Sequence, residues 1–310
     1  MREARAGLKE FWIKGKRINL INNKAAIRKQ VERTIRREIK YISSFFPYII
    51  EKFHNPSLLY FQSIFLMENY FNEKIYGSGQ KNYETKDMDL PQRQSAKKVM
   101  NLIVGLELLS IGTAFHDFKS NGSFLNPDNR PAKIEKEYTL DLLFGDIFYS
   151  RAVIYLLRFE DHSVFDRILS SLKELHESRL VLHRGISDIL QAGRDILSFE
   201  NYMDPKSLIG ANRLLDVSLD ISFEIFCEKS GRKEKNKFSD SAKQIMILKT
   251  YDELLKYIHS LKTDLSTEKI SSHLTSKKNF TDRKLSDIIS ELDSGKFKSS
   301  IKALLDSLDN

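Results

Sequence analysis

Two carboxylates interrupt apolar, helix-like runs of this chain: Asp117 in Phe115-His116-Asp117-Phe118, and Asp146 in Phe144-Gly145-Asp146-Ile147-Phe148. Taking a carboxylate out of water is costly unless it is paired, hydrogen-bonded or bound to a metal. Two of them on successive helices would mark a polyanion site between those helices. The cations such a site needs occur further along. Arg130 lies in the connecting segment, and Lys206 follows Pro205. Lys206 would open a later helix, where a cation and free backbone N–H groups together hold an anion. Each residue also has an ordinary reading. His116 and Asp117 fit a polar helix end, Asp146 fits an ion pair with Arg151, and Lys206 fits a surface lysine.

The elements that must position these residues read as helices. The 310 residues are 41% hydrophobic and 30% charged, with 13 Gly and 6 Pro. That is too few chain breakers for an all-β protein and enough length for a real core, in one large α domain or two small ones. The basic segment 1–40 carries Ile27, Val31, Ile35 and Ile39 at four-residue spacing, giving a narrow apolar stripe for docking. Ser43–Phe53 and Leu58–Phe71 read as two helices broken at Pro47 and Pro56, and Gly77–Pro91 as a loop. Ala96–Phe118 is a helix with Val99, Leu102, Ile103, Leu106 and Leu109 on one face. Lys119–Lys136 is a long connection, and Tyr138–Phe159 is apolar nearly all round, as a central helix is. Helices Val164–His183, Asp188–Phe199 and Lys206–Glu228 follow, then a charged linker Lys229–Asp240 and a helix Ser241–Lys262. From about Thr263 the chain reads as a polar linker and short helices with stripes at Leu285, Ile288, Ile289 and Leu292, and at Ile301, Leu304, Leu305 and Leu308. The expected division is a basic N-terminal region 1–40, a helical domain 41–262 and an appendage 263–310.

Several function classes are excluded. The single Cys227 rules out a disulfide framework and a cysteine-rich zinc site, and fits a reducing cytoplasm. The histidines show no metal-ligand spacing. A P-loop, a dinucleotide fingerprint and a Gly-x-Ser-x-Gly motif are all missing. A net charge of +8 suits a phosphate-bearing ligand, an anionic membrane surface or an acidic partner. With neither a Cys/His finger nor an RNP-like motif, no nucleic-acid partner is expected. Met1–Glu10 leads into no apolar segment of the signal-peptide kind. The apolar run Ile147–Phe159 is interrupted by Arg151 and Arg158, and falls short of the ~20 residues of a membrane span. A cytoplasmic protein with peripheral membrane contact is the expectation.

The order Thr113-Ala114-Phe115-His116-Asp117, then Arg130, then Leu143-Phe144-Gly145-Asp146-Ile147-Phe148-Tyr149-Ser150-Arg151-Ala152 resembles the trans-isoprenyl diphosphate synthase family. In that family an apolar helix ends in a His-Asp-Asp-x-x-Asp type motif. An Arg-containing loop and a helix with a Leu-x-Gly-Asp-Tyr type motif follow. Lys206-Ser207-Leu208 resembles the family's later Lys-Thr-x-x-Leu element, whose lysine contacts diphosphate. The likeness spans about residues 45–260. It implies an isoprenoid-synthase-type all-α bundle with a C-terminal helical appendage. It also implies a diphosphate-binding or vestigial site at Asp117, Arg130, Asp146 and Lys206, with Asp117 the candidate Mg²⁺ ligand. Phe115, Phe118, Phe144, Phe148 and Tyr149 would line a prenyl tunnel or an interface.

The departures matter as much. Phe118 and Asn121 stand where the family has its next aspartates. No second motif of the Phe-Gln-x-x-Asp-Asp kind is present, the nearest segment being Tyr251-Asp252-Glu253-Leu254-Leu255. Mg²⁺ is a hard cation that wants several oxygen ligands, so one carboxylate is a poor scaffold. In this respect Thr113–Asp117, Gly145–Phe148 and Leu172–Leu182 resemble the small, non-catalytic component of heteromeric long-chain synthases, such as component 1 of heptaprenyl diphosphate synthase. That implies a heterodimer with a catalytic polyprenyl diphosphate synthase subunit holding most of the Mg²⁺, in menaquinone-type quinone side-chain biosynthesis. Lys206 is a catalytic-chain feature kept here. Two alternatives stay open: a divergent active prenyltransferase or terpene-type enzyme, and a helical scaffold that binds a protein or an anionic membrane.

Overall fold

The computed structural model describes residues 12–13, 16–17, 24–45, 58–66, 90–116, 132–192, 200–226, 232–260 and 265–290, together with Ile301 and Leu304. The architecture is the expected all-α bundle. Apart from a two-residue antiparallel ladder, Trp12–Ile13 (β1) against Lys16–Arg17 (β2), the described residues form helices and the turns between them. In chain order the helices are α1 (Lys24–Phe45), α2 (59–66), α3 (Leu90–His116), α4 (Ala132–Leu157), α5 (His162–Ala192), α6 (Pro205–Gly210), α7 (Arg213–Phe226), α8 (Arg232–Ser260) and α9 (Leu265–Ser290).

The central pair is α3 and α4, which run antiparallel and unusually close. Gly112 and Gly145 face each other across the contact. A Cβ on Gly112 would lie 2.5 Å from the Tyr149 ring and 3.0 Å from the Gly145 carbonyl. A Cβ on Gly145 would lie 2.3 Å from the His116 ring and 3.1 Å from the Gly112 carbonyl. Glycine is the residue that lets two backbones come this near. Within α3, Gln94–His116 is long and apolar enough to cross a bilayer by composition alone, yet 67% of its most apolar window is buried inside the bundle. It is a core helix, and it rather than Ile147–Phe159 is the strongest apolar segment.

Two apolar cores follow. The larger joins α1, α2, α3, α4, the first half of α5, α7, the middle of α8 and Leu285 of α9. The smaller joins Leu182, Ile186 and Ile189 of α5, Leu208 of α6, Leu254 and Ile258 of α8, and Ile270 and Leu274 of α9.

Several element boundaries differ from the sequence reading. The apolar stripe of α1 runs Ile27, Val31, Ile35, Glu38, Ile42, with Ile39 only half-buried. A strict four-residue step overshoots the 3.6-residue turn, and the helix corrects by stepping three to Glu38. Ser43 belongs to the end of α1. The proposed break between Val164–His183 and Asp188–Phe199 does not exist. Helix α5 runs through it because Tyr202 packs on Gly185 and covers its open backbone. Asp161 begins α5 by accepting from the N–H groups of Ser163 and Val164. Conversely, Lys206–Glu228 is two helices, α6 and α7, separated at Ala211 and Asn212, where Asn212 turns inward to donate to Thr250 Oγ1 at 2.8 Å. The charged stretch read as a linker opens α8, and the polar stretch after 263 is the long helix α9 packed on α8. Ile301 and Leu304 are fully buried in the larger core. Charge alone therefore did not mark linkers here. Residues 46–57 and 67–89, with the ends of the two helices and the loop read there, lie outside the described residues.

Candidate functional site

The sequence placed a site where α3 ends and α4 begins. Of its proposed members, Asp117, Phe118 and Arg130 lie outside the described residues. Of those that are described, Tyr149 belongs to a small polar cluster drawn from three helices. Tyr149 of α4 is its centre. Its hydroxyl is 2.7 Å from His176 Nε2 on α5 and 3.2 Å from Thr113 Oγ1 on α3. The His116 ring stacks on the Tyr149 ring at 4.9 Å and 12°. Behind it, Phe115 stacks on Phe148 at 5.7 Å and meets Phe144 edge-on at 5.8 Å. Phe144 and Phe148 are wholly buried.

Asp146 is not the buried carboxylate its apolar surroundings led us to expect. Its side chain is 70% exposed and touches His116, Nε2 to Oδ1 at 3.2 Å. The two groups are close enough for an ion pair with protonated His116, but they are not aligned for a hydrogen bond, and His116 Nε2 has no aligned acceptor among the described residues. The reason is helical position. Asp146 follows Gly145, which faces α3, and so projects to the outer side. Nor does Asp146 pair with Arg151. Arg151 turns instead to the buried Glu38 of α1, with Nε and Nη2 donating to the two carboxylate oxygens at 2.7 and 2.9 Å. Tyr155 adds a 2.6 Å hydrogen bond. Burial works to raise the Glu38 pKa, but the hydrogen bonds from Arg151 and Tyr155 outweigh it and hold the carboxyl below its usual range.

Lys206 is an exposed residue in the first turn of α6. The cap of that helix is Asp204, which accepts from the Ser207 N–H at 2.7 Å. Its carboxylate takes the Ser207 amide and hydroxyl, donors that an anion at this helix end would use. Lys206 and Asp146 therefore stand on separate elements, and no described contact joins them.

A second polar group, deeper in the bundle, escaped the sequence reading. Glu107, in the middle of α3, is buried and accepts from the backbone N–H groups of Tyr60 and Phe61 at 2.8 and 3.1 Å. It caps the start of α2. Burial raises its pKa to about 7, partly offset by those two amides and by Lys249. Nearby, Arg179 of α5 donates to Glu253 at 3.1 Å and to the Ala211 carbonyl at 2.9 Å, and Lys249 sits 3.4 Å from Glu253. The cavity beside Arg179, His183, Thr250 and Glu253 measures about 20 Å³. That is room for a water, far below the hundreds of Å³ of a ligand site. Glu107 carries the same signal that singled out Asp117, an acid within an apolar run.

Mg²⁺ does not fit the donors that are described. Among the described residues no group of three His, Cys, Asp or Glu is placed to share a metal. Each carboxylate of the Asp252-Glu253 segment is already neutralised by a protein cation: Asp252 by Lys278 of α9, and Glu253 by Arg179 and Lys249. A hard divalent ion would have to displace these cations to gain its oxygen ligands.

Comparison with known proteins bears on the fold. No family model and no curated protein matches this sequence. Among solved structures, the chain is similar to a decaprenyl diphosphate synthase from Rhodobacter capsulatus. The TM-score is 0.50 and the identity 10%, over 94% of this chain and 97% of that one. The isoprenoid-synthase-type helical fold implied by the motif order is thus the fold of the molecule.

Proposed function

We propose that this chain is a non-catalytic or regulatory subunit of a heteromeric trans-polyprenyl diphosphate synthase. It pairs with an aspartate-rich catalytic chain, which holds the Mg²⁺, and helps set prenyl length in quinone side-chain biosynthesis. The observation that carries this reading is the state of Asp252 and Glu253. They are the nearest counterpart in the chain to a second metal-binding motif, and both are tied into salt bridges with Lys278, Arg179 and Lys249. Diphosphate ionisation needs carboxylate-held metal or free cations at the leaving group. At Asp252 and Glu253 the charges cancel within the protein. Phe118 and Asn121, in place of carboxylates, agree with that. The stacked rings of Phe115, Phe144 and Phe148 would then give a rigid aromatic wall near the prenyl path, contributed to the assembly rather than to chemistry.

The test is direct. The purified chain is incubated with an allylic diphosphate, isopentenyl diphosphate and Mg²⁺, with and without a catalytic chain carrying two intact aspartate-rich motifs. The expected result is no elongation alone and a changed product length in the mixture. Robust elongation by this chain alone would sink the subunit reading and establish a divergent active enzyme instead.

A further inference from the structure

Helix α4 is apolar on two opposite sides, and the bundle uses only one. Its inner side carries Phe144, Phe148, Ala152 and Leu156, all buried, and Gly145 against α3. On the other side stand Leu140, Leu143, Ile147, Ser150, Ile154 and Leu157, alternately three and four residues apart. That is the spacing of a coiled-coil seam, carried through three heptads. Leu143, Ile154 and Leu157 are 45%, 38% and 49% exposed, Ser150 is exposed, and Leu140 and Ile147 are half-buried. A helix apolar all round belongs inside a structure. Here its outer seam is left open to solvent.

The surroundings extend this seam. Of the nine exposed large apolar residues among those described, eight are on α1, α4 and α5. At one flank of the seam, Arg151 lies over the exposed Tyr41 of α1 at 5.6 Å. Beyond the other flank, Tyr149 reaches His176 of α5. The exposed Leu169 and Leu180 share the His176 face of α5, seven residues before it and four after. Apolar exposure concentrated in this way marks a protein–protein contact.

The spacing selects the occupant. A lipid surface asks only for an apolar side, whereas a seam of 3.5-residue period fits the matching seam of another helix. This seam matches itself. In an antiparallel pair, the first core position of a heptad on one helix meets the second core position on the other. One register then uses all six residues: Leu140 meets Leu157 of the other copy, Leu143 meets Ile154, and Ile147 meets Ser150. The one small residue of the seam is thus set against a branched one. The charges at the flanks agree. The same register sets position 137, a glutamate, across from Arg158. Arg151, close to the two-fold axis, is already neutralised by Glu38.

We infer that this chain forms a two-fold symmetric dimer in which the α4 seams of two copies pack antiparallel. Such a contact uses one patch twice, so that residue i meets j and j meets i. That is the property the six seam residues have. The pairing occupies one side of the chain and is independent of the subunit reading, which calls for a different partner.

The test is the mass of the full chain in solution, by sedimentation equilibrium and light scattering. Twice the 36.1 kDa of one chain is expected. Leu143→Glu combined with Ile154→Glu should raise the dissociation constant about 100-fold or more, because it buries carboxylates against each other across the two-fold axis. Both side chains are exposed in the single copy, so the circular dichroism of the variant should match the parent. Disulfide trapping in a Cys227→Ser background reads the register without disturbing the charge. Leu143→Cys on one chain and Ile154→Cys on another should crosslink to each other, and neither to itself. A dimer that survives the double substitution, or a Leu143→Cys chain that crosslinks to itself, would overturn the inference. So would a parent that is monomeric alone. If that monomer formed a mixed complex with a catalytic chain, self-pairing would fail while the subunit reading stood.

Discussion

His116 of α3 rests directly on Gly145 of α4, in the space where any other residue would carry its Cβ. The imidazole is thereby held flat against Tyr149 and within reach of Asp146. Gly145→Ala should push the ring out, part α3 from α4 and cost about 1–3 kcal/mol, the usual range for overpacking a tight contact. Thermal unfolding measures it. Asp146→Asn should change stability by less than about 0.5 kcal/mol, because an exposed pair contributes little. A larger loss for Asp146→Asn than for Gly145→Ala would contradict this account of the contact.

Glu38 and Arg151 attach the basic helix to the bundle. Arg151→Met would leave a buried carboxylate with Tyr155 alone and should cost about 2–4 kcal/mol. The double change Glu38→Gln with Arg151→Met should recover part of that loss, since no charge is then stranded. The folded-state pKa of Glu38 is lowered from 4.5. Its contribution is therefore complete above pH 4.5 and disappears as pH falls through the lower folded value. Urea titrations across pH 3–6 of the parent and Glu38→Gln would expose that acid-side loss as the difference between them; parallel profiles would refute it.

Glu107 has the opposite sign. Its pKa rises from 4.5 unfolded to about 7 folded, so the folded chain holds a proton that the unfolded chain releases. The resulting stability is complete below pH 4.5 and is lost as pH rises through about 7, on the order of 3 kcal/mol in all. Glu107→Gln keeps an acceptor for the Tyr60 and Phe61 amides without the charge. The variant should match the parent near pH 4.5 and exceed it at pH 8. A parent that is the more stable at both pH values would overturn this reading.

Arg179 neutralises Glu253 while also donating to the Ala211 carbonyl at the α6–α7 turn. Arg179→Met should destabilise by about 2–4 kcal/mol. It should also speed amide exchange at Ala211, Asn212 and Arg213 before other core sites. Uniform acceleration across all helices would place the effect elsewhere.

Much of the bundle was legible because apolar periodicity reports burial directly. Val99, Leu102, Ile103, Leu106 and Leu109 were expected on one face of α3 and are buried. Boundaries were less legible: α5 continues through Gly185, which Tyr202 covers, and the charged stretch 232–240 is itself helical. In the site, the sequence located the region but not the partners of its charges. Asp146 and Arg151 looked like mates, yet each is taken by a residue from another helix. Glu107 was passed over although its surroundings are as apolar as those of Asp117.

The amino-acid sequence by itself determined the helical class, the basic character of segment 1–40, and the missing carboxylates at Phe118 and Asn121. These are properties of single residues and of short-range spacing. Tertiary structure decided which charges meet. Glu38 is joined to Arg151, Glu253 to Arg179 and Lys249, and Asp252 to Lys278. An ion pair depends on which helix faces are brought within a few ångströms, and residues as far apart in sequence as Glu38 and Arg151 carry no local sign of that meeting.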